Sequence, residues 1–232
     1  VAVSDAYAAA IAARLAEVDA RIAAACASAG RARGDVLLIA VTKGHGPQAI
    51  RAAYAAGQRE FGENYVQELA AKAAVLGDLP ELKLRFIGRL QRNKAKDVVK
   101  LGCSVDGVDS LALAQALSQR VAGTGRELEV LLQVNVDREP QKAGVLPEAV
   151  AELCAAVREL PGLSLRGLMA IPAAAGDDAA ARASFRRVRE LAAQLGLPDV
   201  SMGMSGDLEL AIEEGATMVR VGTAIFGARP PR

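Results

Sequence analysis

Apolar positions along this chain follow two rhythms. Tyr7, Ile11, Leu15, Val18, Ile22 and Cys26 recur at steps of three and four, which predicts one face of a helix entered at Ser4 or Asp5 and closed by Gly30. The rhythm then changes. Val36 to Lys43 reads VLLIAVTK, an unbroken uncharged run that ends on an amine and is followed by Gly44-His45-Gly46-Pro47. Such a run between turn residues suits a parallel strand buried on both faces. From there apolar runs and helical periods alternate. Strands are expected over 36–43, 59–62, 83–87, 103–108, 128–136, 165–170, 200–202 and 218–221, with helices over 47–57, 65–76, 93–100, 111–122, 146–160, 180–195 and 208–214 between them. Eight such units in roughly 190 residues point to one α/β domain, residues 1–232, with a TIM-type (β/α)8 barrel over 35–229 behind an extra N-terminal helix over 1–34. A doubly wound open sheet is the alternative, because the second and seventh strands are weak.

Phase within the strands says which side chains reach the barrel mouth. Val130, Leu132, Val134 and Val136 stay apolar, while Leu131, Gln133, Asn135 and Asp137 turn polar toward the carboxyl end. Outward side chains must pack on helices, so the polar set is expected in the lumen near its top. Lys43 shares a face with Leu37, Ile39 and Val41, and alternation alone does not settle which way that face points.

Composition narrows the class. Of 232 residues, 52% are hydrophobic and 24% charged, which excludes disorder. The 28 Lys+Arg against 27 Asp+Glu leave a formal charge of +1, so no overall field recommends nucleic acid or an anionic membrane. Arg85, Arg89, Arg92, Lys94, Lys96 and Lys100 form a local basic run that could meet RNA, although helical spacing favours a solvated face. Asp5, Arg14, Glu17, Asp19 and Arg21 interrupt the alanine-rich start, which argues against a secretory or membrane-spanning stretch. Three widely spaced cysteines without a C-x-x-C pair, together with one histidine, read as reduced thiols rather than a metal site. A soluble, cytoplasmic protein is expected.

The strand ends gather polar groups: Lys43, Glu63 and Asn64, Gly88, Arg89 and Gln91, Asp106, Asn135, then Met169, Met204, Ser205, Gly206, Arg220, Gly222 and Thr223. In barrels the loops after strands seven and eight commonly bind phosphate, because free backbone N–H groups and a helix dipole favour an anion. Ser205-Gly206 and Gly222-Thr223 occupy those loops. Ser205 reads equally well as an N-cap and Gly222 as a turn residue, and Asp207 would repel a phosphate if it pointed inward. Arg220, between two valines, needs a partner: a ligand ring nitrogen or carboxylate, or else Glu213, Glu214 or Asp106. A lysine able to condense with an aldehyde, a phosphate cradle and an arginine for a heterocycle together describe a pyridoxal 5′-phosphate site.

At these residues a resemblance becomes specific. AVTK at 40–43, GQREFGENYVQE at 57–68, FIGRLQRNK at 86–94, VLLQVN at 130–135, RGLMAIP at 166–172, SMGMSGDLELAI at 201–212 and VRVGTAIFG at 219–227 resemble the pyridoxal phosphate homeostasis proteins, single-domain relatives of the barrel half of alanine racemase. The resemblance implies a fold-type III barrel with the cofactor on Lys43 as a Schiff base. It implies that Ser205, Gly206, Gly222 and Thr223 bind the phosphate, that Arg220 meets the pyridine nitrogen, and that Asn64 and Met204 lie near the ring. Three departures from the family pattern stand out: His45 stands where a second lysine is common, Leu84-Arg85 replace a Trp-His pair, and Gly206 replaces an acidic or other residue. An arginine at the ring nitrogen keeps it unprotonated and makes the ring a poor electron sink. The expected function is therefore to hold, buffer or deliver the cofactor, as a monomer serving cofactor-dependent apoenzymes. A weak amino-acid racemase, with Lys43 opposed by His45 or Tyr65, is the alternative.

Overall fold

The structure is a computed structural model describing residues 4–172 and 177–229. Its elements run α1 (Asp5–Ser28), β1 (Leu37–Val41), α2 (Pro47–Ala55), β2 (Glu60–Glu63), α3 (Val66–Ala73), β3 (Lys83–Phe86), α4 (Ala95–Leu101), β4 (Ser104–Val108) and α5 (Leu111–Val121). They continue with β5 (Leu128–Val134), α6 (Val150–Arg158), β6 (Leu163–Ala170), α7 (Asp178–Gln194), β7 (Asp199–Ser201), α8 (Leu208–Glu213), β8 (Met218–Val221) and α9 (Thr223–Phe226). The strands pair in chain order, all parallel, and β8 closes on β1 through Leu37 beside Met218 and Ala40 beside Val221. The closed barrel replaces the open-sheet alternative.

The elements sit where the two rhythms place them, with shifted ends. Pro147 cannot donate an amide hydrogen, and 147–149 form a 3-10 turn that delays α6 to Val150. Arg92–Lys94 do the same before α4. Asp177 caps α7 by accepting the Ala179 N–H at 2.9 Å, so that helix starts two residues earlier than its periodicity suggests. The short α9, directly after β8, carries no periodic signal.

Alternation sorts each strand into two layers. Leu38 and Ala40 of β1 face outward into the main core under the helices, whereas Leu37 and Ile39 join Leu131, Met169 and Met218 in the lumen. Lys43 continues the inner set, which answers the question its alternation left open. Gln133 and Asn135 continue the phase of Leu131, as expected. Outside, α1 buries Ile11, Leu15, Val18 and Ile22 against the barrel and packs on α2, α8 and α9. Each such side chain contributes about 1.5–3 kcal/mol relative to exposure, which makes this helix part of the fold rather than an appendage.

Arg85 corrects one expectation. It points into the lumen at 5% exposure, donates to both oxygens of Asp106 at 3.0 Å and to Glu129 at 2.7 Å, and lies 3.7 Å from Glu60. A guanidinium so enclosed is a structural ion and drops out of the basic surface run. The three cysteines are free and buried. Among the described residues no cluster could hold a metal ion, and no helix is long and apolar enough to cross a membrane.

Candidate functional site

Lys43 lies two residues past β1, in a turn closed by the His45 N–H on the Thr42 carbonyl at 3.0 Å. A buried polar network holds this turn from behind. Lys72 Nζ on α3 donates to Glu63 Oε1 at 2.5 Å and to the Thr42 carbonyl at 2.8 Å. The Thr42 hydroxyl donates to the same Glu63 oxygen, and Glu68 accepts the Gly44 N–H at 2.8 Å. Burial raises the Glu63 pKa against the opposing Lys72 charge. Lys43 itself is half-buried, and its pKa is lowered by desolvation first, then by the nearby positive charges of Arg229 and Arg220; Glu63 opposes the shift. More of this amine is consequently unprotonated, and nucleophilic, at a given pH than an exposed lysine would offer. The Arg229 side chain crosses the turn beside Gly44, where an added Cβ would lie 3.2 Å from its Cδ. The His45 ring packs against Phe226 at 5.5 Å between centroids.

Arg220 projects from β8 into the lumen and is 5% exposed. It donates to Ser201 Oγ at 2.8 Å and to the Ala170 carbonyl at 2.9 Å, both neutral acceptors. Burial pulls its pKa down to about 10, with Asp106 and Asp207 opposing. The carboxylates the sequence offered it are engaged elsewhere: Asp106 by Arg85, Glu213 by Arg182 and Glu214 by Arg182 and Arg186.

The loop after β7 turns at Gly203, whose φ of +89° and close approach to Ala211 exclude a larger side chain. Asp207 does not project freely into the mouth: its Oδ1 accepts the Met204 N–H at 2.6 Å within its own turn. Ser205 Oγ accepts the Ala224 N–H at 3.4 Å, which joins this loop to the Gly222-Thr223 segment. Gly222 abuts the end of β1, where a Cβ would lie 3.1 Å from the Val41 carbonyl oxygen. Lys43, Arg220, Ser205, Gly222 and Thr223 thus meet at the junction of β7, β8 and β1. Gly206 and Met204 stand exposed on the same loop. Asn64 follows β2, and its Oδ1 is buried without a hydrogen-bond partner among the described residues. Gly88 presses on it so closely that a Cβ would come within 2.2 Å of the Asn64 carbonyl oxygen.

Several expected rim groups lie elsewhere. Glu63 faces outward to Lys72, Asp106 sits beneath the mouth on Arg85, and Met169 belongs to the apolar lumen. Asn135 secures its own loop, donating to the Glu139 carbonyl at 2.9 Å and accepting the Glu139 N–H at 3.1 Å. A cavity of about 300 Å³ opens at the opposite end of the barrel beside Glu60, Arg85 and Glu129. Its charged groups already face one another, and Lys43 is not among its lining residues, so the mouth is the candidate site. Sequence reasoning missed Arg229, which follows the last helix, and Lys72, although a charge three residues after Leu69 on the buried face of α3 was a legible anomaly.

The model of the alanine racemase N-terminal domain matches residues 13–230. The pyridoxal phosphate homeostasis protein of Pseudomonas aeruginosa is 52% identical over 222 residues, covering 94% of this chain and 96% of its own. The chain belongs to the pyridoxal phosphate homeostasis protein family. The structure of PipY of Synechococcus elongatus PCC7942 with PLP bound superposes with a TM-score of 0.83 at 41% identity, over 94% of this chain and all of that one (100%). Alanine racemase of Corynebacterium glutamicum shares the fold, with a TM-score of 0.69 at 19% identity over 96% of this chain, but only 62% of the racemase chain is covered.

Proposed function

We propose that this protein holds pyridoxal 5′-phosphate on Lys43 in the barrel mouth and takes part in its homeostasis by buffering or delivering it. The observation that carries the reading is the placement of a lumen-facing amine of lowered pKa beside Arg220, Arg229 and the joined Ser205 and Thr223 loops. A cluster of cations beside backbone N–H groups suits an anion, and the amine suits an aldehyde. In this reading Ser205, Gly206, Gly222 and Thr223 take the phosphate, Arg220 the ring nitrogen, and Met204 and Asn64 the ring edge. The orphaned Asn64 Oδ1 gives that last role a physical basis, because a buried acceptor without a partner costs free energy until a donor arrives.

When bound, the cofactor supplies an aldehyde that amines can take up in exchange. Carrying is favoured over racemisation by the residues around it. Arg220 keeps its positive charge toward the ring nitrogen and so discourages a proton there. His45 is packed on Phe226, and Tyr65, at the start of α3, is nearly half exposed. The relative at 52% identity is named for homeostasis, and the racemase likeness extends to the fold alone. Cofactor-dependent apoenzymes are the proposed recipients, and a monomer in the cytoplasm is the proposed state.

The test is a titration of the purified chain with pyridoxal 5′-phosphate, followed by borohydride reduction and peptide mass analysis. One equivalent should be fixed on Lys43, and none in Lys43→Ala. Binding that survives Lys43→Ala unchanged would overturn the site. Sustained conversion of L- to D-alanine that vanishes in Lys43→Ala would overturn the carrier reading in favour of the racemase.

A further inference from the structure

The N-terminal helix reaches the proposed phosphate loop through one side chain. Arg21 on α1 donates through Nε to Glu209 Oε1 at 2.6 Å and through Nη2 to Glu209 Oε2 at 2.9 Å. The same Nη2 donates to the Ser205 carbonyl at 3.0 Å. Glu209 is in the first turn of α8, so the guanidinium ties the loop to the helix that follows it. The two side chains are more than a third exposed, and exposed ion pairs add little to folding. What the contact does fix is the direction of a peptide group.

The Ser205 carbonyl and the Gly206 N–H belong to one peptide unit, which is planar, and the described chain contains no cis peptide bonds. In a trans peptide the C=O and N–H point to opposite sides. Arg21 draws the carbonyl outward, toward a helix that packs on the outside of α2, α8 and α9. The Gly206 N–H, on the opposite side of the same peptide plane, is thereby turned away from Arg21. Gly206 has no Cβ to hold this orientation by packing, and an added one would touch nothing within 4 Å. A glycine peptide without an external clamp samples both orientations.

We infer that Arg21 is a positioning residue for phosphate recognition: its hydrogen bond to the Ser205 carbonyl orients the Gly206 N–H toward the cofactor's phosphate, which makes α1 part of the binding site. The inference rests on the proposed cofactor site and adds a way to discriminate between ligands. Pyridoxal carries the same ring and aldehyde without the phosphate, so loss of the clamp should weaken pyridoxal 5′-phosphate and spare pyridoxal.

The test measures dissociation constants of both compounds for the full chain, for Arg21→Ala, for Arg21→Lys and for Glu209→Ala, with thermal melts of each protein alone. Arg21→Ala should bind pyridoxal 5′-phosphate on the order of tenfold more weakly, the loss of about one charged hydrogen bond, with pyridoxal unchanged within about twofold. Glu209→Ala, which removes the anchor from the other side, should move in the same direction, and Arg21→Lys should recover part of the loss. Equal weakening of both compounds, or of neither, overturns the role of Arg21 while leaving the site intact. An unsubstituted chain that binds the two compounds equally well, or binds neither, overturns the phosphate site itself and this role with it.

Discussion

Lys72→Met tests the buried network behind the Lys43 turn. Glu63 is fully buried and Lys72 is 4% exposed, with 2.5 Å between Nζ and Oε1. Removing one partner of such a pair strands a buried charge at a cost of about 3–5 kcal/mol, whereas replacing both with apolar groups of similar volume is close to neutral. The double variant Glu63→Leu/Lys72→Met should therefore recover most of what Lys72→Met loses. For a chain of this length about 2 °C of Tm goes with each kcal/mol, so the single variant should melt roughly 6–10 °C lower. The deficit also depends on pH. Burial already raises the Glu63 pKa, and without the ammonium it rises further. A carboxyl whose folded pKa exceeds its unfolded value holds its proton more tightly when folded. Both proteins share one unfolded state, so the deficit is smallest in acid and grows as pH climbs from the raised Glu63 pKa of the unsubstituted protein toward the still higher one of the variant. Urea denaturation of the unsubstituted protein, both singles and the double, near pH 5 and near pH 8, measures the loss, its recovery and its pH dependence, and thermal melts of the same proteins read the Tm. A loss under about 1 kcal/mol, an equal loss at both pH values, or strictly additive singles would refute the pairing.

Three further outcomes follow from the geometry. Borohydride-trapped aldehyde on Lys43 should rise with pH and reach half its maximum below the pH of an exposed lysine, because burial, Arg229 and Arg220 all lower its pKa; Arg229→Gln should move that midpoint upward, and a midpoint at or above an ordinary lysine would contradict the assigned environment. Gly88→Ala drives a methyl within 2.2 Å of the Asn64 carbonyl oxygen and should destabilise by about 1–3 kcal/mol in urea, whereas a neutral result would show that the loop yields freely. The Cys103 thiol, pushed up to about 12 by burial, should react with a thiol reagent in mild alkali only after denaturant is added, and rapid native labelling would place it on the surface instead.

The barrel was legible because parallel strands buried on both faces read as apolar runs, and because turn residues separate them from helical periods. Even Asp199–Ser201, a three-residue strand, showed through by its place in the alternation. The loops after β7 and β8, proposed to take the phosphate, were singled out by their position at the carboxyl ends of strands. Partnering was not legible. Arg85 stood in a basic run by sequence but lies in the lumen, because its Asp106 and Glu129 partners come from β4 and β5. Glu63 looked like a rim group beside Asn64, yet the strand phase turns it outward to Lys72 on the following helix. Arg21 entered the sequence reading only as one of the charges that interrupt the alanine-rich start, and its partner Glu209 is 188 residues away. Local rhythm predicts elements; which charges meet depends on a closure that joins distant segments.

That closure has a consequence for how the protein is made. The seam pairs Leu38 with Val219, residues roughly 180 positions apart, and joining such distant points costs about 5 kcal/mol of chain entropy before any contact rewards it. Lys43 leaves the ribosome before Arg220 and the Thr223 segment, which follow it roughly 180 positions later. A nascent chain therefore has the amine long before it has the proposed pocket, and under that proposal cargo capture reports that the last strand has docked on the first.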